Sequence, residues 1–246
     1  MLEYNQGKSA DKAERSRVMV IRTQYLERLR PFYDSELVKV ITGIRRCGKS
    51  TILRQVIAEI KENGIEDSHI IYINFEDYKY HKLTDADAFY EYVEQKIVDE
   101  GKYYLFFDEI QNVNNFELVV NSFRATHNVS IFITGSNSKL LSGELATHLS
   151  GRTVSLRVLP FNFMEFCQYK DISATDYEAL LAEYMTYGGL PLVCGADNKE
   201  TKEVILNNIY DAVVLKDIVM RNKINSPLVL EKVLDYIVGN SSLTVS

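Results

Sequence analysis

Cysteine is scarce and poorly spaced for cross-linking. Only Cys47, Cys167 and Cys194 occur in 246 residues, an odd number with no C-x-x-C spacing. That argues against a disulfide framework and suits a reducing compartment. The histidines His69, His81, His127 and His148 are scattered and never four apart, which argues against a zinc site. No apolar run approaches the roughly 18 residues that span a bilayer, so no membrane partner is expected. The opening stretch MLEYNQGKSADKAERSR lacks the apolar core of a signal peptide, which makes the cytoplasm the expected location. Internal repeats and low-complexity tracts are also missing.

What is present reads as a soluble globular protein, with 46% hydrophobic and 25% charged residues. The length allows one large domain or two smaller ones. A net charge of −6 argues against a general nucleic-acid coat, but the charge is uneven. Residues 1–54 hold 12 Lys+Arg against 6 Asp+Glu, and the remainder holds 16 against 28. A basic beginning suits a polyanion such as ATP or DNA; a solvated basic face is the competing reading.

The least accidental stretch is ITGIRRCGKSTIL, residues 41–53, which fits G-x-x-x-x-G-K-[ST] at Gly43, Gly48, Lys49 and Ser50. LVKVIT before it is a β-rich run. KSTILRQVIAEIKENG after it places Ile52, Leu53, Val56, Ile57 and Ile60 at helical spacing, with Gly64 in a C-cap region. Strand, glycine loop, helix is the setting a P-loop requires. In such a loop the backbone of Gly43, Ile44, Arg45, Arg46, Cys47, Gly48, Lys49, Ser50 and Thr51 brings N–H groups onto phosphate oxygens. Lys49 reaches the β- and γ-phosphates and the Ser50 hydroxyl takes Mg²⁺. Thr51 starts the helix, beside the α-phosphate or as local support. Arg45 and Arg46 read as solvent-facing or interdomain residues. Cys47, between basic neighbours and near a helix N-terminus, is expected to favour thiolate.

The alternation continues. VMVIR is strand-like and is followed by a helix stopped before Pro31. HIIYINF (69–75), YYLFFDE (103–109), VSIFITGS (129–136) and TVSLRVL (153–159) read as strands. DADAFYEYVEQKIVDEG and NFELVVNSFRATH read as helices between them. Near-continuous apolar strands separated by helices indicate a parallel sheet covered on both faces, an α/β fold. Asp108 leaves the third such strand at its C-terminal end, where open α/β sheets bind ligands. It is a candidate for the Mg²⁺ shell, and Glu109 a candidate to polarise the attacking water. After Pro160 the segments read as helices, the last starting at Ser226 and Pro227.

Taken together, GIRRCGKST, YYLFFDEIQ, IFITGSNSKLL, LSGRTVSLRVLPFNFMEF and YGGLP resemble a family of bacterial and archaeal AAA-plus-type ATPases, over about residues 18–240. Members carry a C-terminal domain of uncharacterised function. The resemblance implies a five-stranded core in the order 5-1-4-3-2, spanning 18–159 after a loose segment 1–17. It implies a helical lid over 160–222 and the start of a winged-helix region, cut short, over 223–246. It implies ATP as nucleotide; no N-K-x-D guanine motif occurs. A γ-phosphate sensor falls at Asn137, with Ser136 as alternative, and a residue restraining the catalytic glutamate falls at Asn74. Arg152 sits where an arginine finger acting on a neighbouring subunit would lie, which implies a homo-oligomer. Gly188, Gly189 and Pro191 fall near the adenine edge. A clear lid arginine is missing, and Arg221 is the nearest candidate. The expected function is Mg²⁺-dependent ATP hydrolysis. The alternatives are a nucleotide-gated module that grips DNA or protein with little hydrolysis, and a P-loop kinase.

Overall fold

The computed structural model describes residues 19–135, 149, 151–170, 177–213, 218 and 227–240. Five strands form one sheet: β1 (Val38–Gly43), β2 (Ile70–Asn74), β3 (Tyr103–Asp108), β4 (Val129–Gly135) and β5 (Thr153–Val158). Their order is β2-β3-β4-β1-β5, the expected order read from the other edge. Every pairing is parallel. The inner strands β1, β3 and β4 have no exposed residue, whereas the edge strands β2 and β5 alternate.

The pleat sorts one continuous apolar run into two layers. Leu105 and Phe107 join Val38, Val40, Ile131 and Ile133 on one face. There they meet Phe89 of α3 (Ala86–Glu94) and Val120 and Phe123 of α4 (Phe116–Thr126). Phe106 joins Ile41 and Phe132 on the other face, its ring stacked on Phe132 at 4.7 Å between centroids. That face is covered by Ile52, Leu53 and Val56 of α2 (Lys49–Glu62) and by Leu26 and Leu29 of α1 (Thr23–Leu29). Both faces are dry, so the sheet's free chemistry is confined to the edge where Gly43, Asn74, Asp108 and Gly135 end their strands.

No strand forms over 19–22, the described part of VMVIR. Its backbone is held by side chains instead: Gln55 Oε1 accepts from Arg22 N at 3.1 Å, and Gln55 Nε2 donates to Val20 O at 2.7 Å. Pro31 lies inside a 3-10 turn, Arg30–Phe32, because its missing N–H is no loss in a first turn. α3 stops at Glu94, well short of Gly101. Asp85 caps its start by accepting from Asp87 N and Ala88 N, both at 3.1 Å.

Past Val158 the described elements are helical: Phe163–Lys170, Tyr177–Tyr187, Pro191–Cys194, Lys199–Asp211 and Pro227–Gly239. Arg22, 1% exposed, ties this part to the sheet. Its Nε donates to Glu165 Oε1 at 2.7 Å, and its two terminal nitrogens donate to Cys47 O at 3.3 Å and Leu159 O at 3.0 Å. The guanidinium lies over the Tyr25 and Phe161 rings, 4.6 and 5.1 Å from their centroids. Phe161 N in turn donates to Gly189 O at 2.7 Å, joining the GGLP turn to the end of the sheet.

Candidate nucleotide-binding site

β1 ends at Gly43, where an added Cβ would lie 2.5 Å from Val158 O, so only glycine fits beside β5. The loop then turns through two left-handed residues, Arg46 (φ 64°) and Gly48 (φ 104°). Gly48 is also the N-cap of α2 and has no side chain to cap it. The first helical amide with a carbonyl partner is Ile52 N, 3.1 Å from Gly48 O. The amides of Lys49, Ser50 and Thr51 therefore have no acceptor within the helix. Amides without a helical acceptor at the positive end of a 14-residue helix make a ready anion site, so the loop fits phosphate.

Lys49 is 5% exposed, and its ammonium turns back into the loop. Nζ donates to Gly43 O at 3.4 Å and Ile44 O at 3.5 Å, and pairs with Glu109 Oε1 at 3.2 Å. The sequence placed Lys49 and Glu109 sixty positions apart; the fold makes them an ion pair. Ser50 and Thr51 are half-buried at the start of α2, while Ile44 and Arg46 are exposed. Cys47 departs from expectation. It is fully buried, in the layer beneath the loop. Burial pushes its thiol up, and this outweighs the nearby charges of Lys49 and Arg22. Proximity to cations favours thiolate only where solvent can stabilise the charge.

Asp108 ends β3 with no exposed surface. Each of its oxygens receives a hydroxyl: Tyr72 OH donates to Oδ2 at 2.9 Å, and Thr134 Oγ1 donates to Oδ1. Burial and the neighbouring carboxylate raise the Tyr72 phenol well above its ordinary range, so it remains a donor. Thr134 Oγ1 also accepts from Glu109 N at 2.9 Å. This holds Glu109 in a left-handed conformation, φ 54°. One 3-10 turn, Ile110–Asn112, follows and is anchored by fully buried Ile110. It returns Gln111 to Glu109, where Gln111 Nε2 donates to Glu109 Oε2.

Asn74, the expected restraint on Glu109, is engaged elsewhere: its Oδ1 accepts from Glu76 N at 3.0 Å. The amide that meets Glu109 is Gln111. Arg152 immediately precedes β5, whose first residue pairs with the first residue of β1, and so lies at the far end of the sheet from its own phosphate loop. It is exposed, and one guanidinium nitrogen donates to Asn121 Oδ1 at 3.1 Å. Ser136, Asn137, Arg221 and Ser226 lie outside the described residues. Sequence reasoning missed Tyr72, Thr134 and Gln111. Thr134 carried a usable signal, a polar residue one step from the end of an apolar strand, level with the acid on its neighbour.

A family model described as an AAA domain matches residues 35–167, more than half of the chain. An uncharacterized protein of Haemophilus influenzae is 40% identical over 228 residues, covering 92% of this chain and 57% of that protein. An uncharacterized protein of Methanocaldococcus jannaschii is 35% identical over 198 residues, covering 77% of this chain and 43% of that protein. The chain thus spans about half the length of these relatives. Among solved structures, the ORC1 protein of Aeropyrum pernix in complex with DNA is similar in fold. Its TM-score is 0.53 at 14% identity, over 80% of this chain and 68% of that one. The glycine loop, the buried acid at the end of the next strand but one and the strand order agree with the family match: the chain belongs to the AAA domain family, with the sheet of a P-loop nucleoside triphosphatase.

Proposed function

We propose that the protein binds ATP with Mg²⁺ and hydrolyses it. The observation that carries this reading is the pairing of Lys49 with Glu109 at 3.2 Å, at the mouth of an uncapped helix and beside buried Asp108. The phosphate-binding cation and the base for water thus share one point. The first amides of α2 and the Lys49 ammonium hold the phosphate oxygens. The Ser50 hydroxyl and Asp108 are the Mg²⁺ candidates. Among the described residues no group of three or more His, Cys, Asp or Glu could cage a metal. A hydroxyl and one carboxylate suit an ion that keeps its waters and phosphate oxygens, and bound there it would offset charge on the phosphates. Once phosphate claims Lys49, the Glu109 oxygen it held is released to accept a proton from water. The water oxygen bonds to the γ-phosphorus, the bridging bond breaks and ADP leaves with the electron pair.

Several further elements belong to this proposal. They are the core at 18–159, the lid at 160–222, the winged-helix start at 223–246, Asn137 as γ-phosphate sensor and a cytoplasmic location. The three cysteines are free, which supports that location; among the described residues no helix is long and apolar enough to cross a membrane. Arg152 acts on a neighbouring copy's site, a reading supported by its exposure and its distance from its own loop.

The second reading is a nucleotide-gated module with little hydrolysis that grips DNA or protein. The helix Pro227–Gly239 favours it by exposing Leu228, Val229, Tyr236 and Ile237, an apolar surface suited to a partner.

One experiment separates these readings. Glu109→Gln should keep ATP affinity and lower phosphate release by about 10²- to 10⁴-fold. Mixing it with Arg152→Ala should restore part of the activity, because some interfaces then carry both intact residues. Wild-type turnover in Glu109→Gln removes the base from this position. Wild-type protein that binds Mg·ATP without releasing phosphate favours the module.

A further inference from the structure

Gln111 has no role in the scheme above, yet its side chain touches the proposed base. Its Nε2 donates to Glu109 Oε2, the carboxylate oxygen that Lys49 does not hold. Its other amide atom, Oε1, is buried and has no hydrogen-bond partner among the described residues. Turning the amide over would not relieve this. It would set the carbonyl against a carboxylate, two acceptors face to face. A buried acceptor without a donor is costly, and a catalytic role is one reason a native protein keeps one. The backbone also fixes the direction of this side chain. Glu109 is left-handed, its N–H is pinned by Thr134, and the 3-10 turn is closed by Asn112 N donating to Glu109 O at 3.2 Å.

We infer that Gln111 positions the attacking water together with Glu109, an assignment that rests on the hydrolytic reading above. The two carboxylate oxygens then divide their work. Oε2 stays anchored to Gln111 Nε2 throughout. Oε1 exchanges Lys49 for the water when a phosphate draws the ammonium away. Water has two protons to direct. One goes to Glu109 Oε1, which takes it as the oxygen–phosphorus bond forms. The other is accepted by Gln111 Oε1, the acceptor that otherwise has no donor. With both protons directed, one water lone pair faces the γ-phosphorus, and a loose nucleophile is given one orientation. Each half of the amide is used, one to hold the base and one to hold its substrate.

The test uses Gln111→Met, which keeps length and volume but loses both polar atoms, and Gln111→Glu, which keeps the shape and loses the N–H donor. Phosphate release from Mg·ATP, KM, calorimetric ATP affinity and the thermal midpoint are measured beside Glu109→Gln. Both Gln111 variants should lower kcat by about 10²-fold, and the neutral Met variant should keep KM and ATP affinity within about twofold, since the effect falls on the reacting geometry and not on binding. A packing role would leave kcat intact in the Met variant, and that result overturns the inference. A rise in kcat would also overturn it, by making Gln111 a restraint on Glu109. If Glu109→Gln turns over like wild type, or wild type releases no phosphate, the hydrolytic reading falls first and this assignment with it.

Discussion

Replacing Thr134 with valine exchanges one hydroxyl for one methyl group at a side chain with no exposed surface. Shape is kept, so the loss is confined to two hydrogen bonds. Asp108 Oδ1 loses the hydroxyl that donates to it, and Glu109 N loses its acceptor at 2.9 Å. Leaving a buried polar group unsatisfied costs about 1–3 kcal/mol, with charged groups at the upper end. Two such groups, one a carboxylate with 0% exposure, give a destabilisation of about 3 kcal/mol. In a chain of this size that lowers Tm by about 6–12 °C. Thr134→Ser keeps the oxygen and removes one buried methyl group, a loss of about 1 kcal/mol. Serine should therefore be the milder change, although valine is the better match in volume and polarity to the strand around it. Urea denaturation of both variants measures the difference. Valine within about 0.5 kcal/mol of wild type, or serine more damaging than valine, would refute the account of Thr134 as a bridge between the two acids.

Lys39, on β1 at the end of the sheet away from the phosphate loop, is fully buried. Its ammonium donates to Ser35 O and Ser130 Oγ and lies over the Phe132 ring. Burial, with help from Lys102 and against Asp34, pulls it down to about 7. The unfolded chain, where lysine titrates near 10.5, binds more protons between these values, so wild-type stability should rise with pH across that window. Lys39→Met lacks the group, so its stability relative to wild type should be greatest below pH 7 and shrink towards pH 10; a pH-independent difference in urea stability would contradict this. Cys47, buried and with its thiol pushed up, should alkylate more slowly in the native protein than half-buried Cys167. Peptide mapping by mass spectrometry after timed labelling reads this directly, and faster labelling of Cys47 would mean that the loop opens.

The parallel sheet was legible because burial on both faces leaves a plain mark, a continuous apolar run such as YYLFF or VSIFI, and because Gly48-Lys49-Ser50 follows one of them. The strand order came from resemblance, since no local pattern encodes which strand lies beside which. Asp108 and Glu109 were legible as an acidic pair at a strand end. Their partners were not. Tyr72 reads as one more aromatic in a strand, and only the parallel β2–β3 pairing brings its hydroxyl to Asp108. Gln111 lies two residues from Glu109, but its return depends on a positive φ that a glutamate rarely adopts. Cys47 was misread because spacing reports which charges are near and says nothing about how much water is. The strand expected over VMVIR is absent from its described residues, 19–22, for a related reason: their backbone partner is a glutamine side chain, which a periodicity cannot announce.

Arg22 sets where the working unit begins. The family match starts at residue 35, thirteen positions later. A version of the protein trimmed to residues 35–167 would keep the sheet and the whole phosphate loop. It would also keep Glu165, 8% exposed, and remove the cation that neutralises it. Deleting one member of a buried ion pair costs about 3–5 kcal/mol, because the survivor's charge is left in a poor solvent. Cys47 O and Leu159 O would lose a donor as well, and Gln55 both of its backbone partners. The boundary drawn by similarity is therefore not the boundary drawn by stability. The shortest piece of this molecule that folds as it does here has to include Val20 and Arg22.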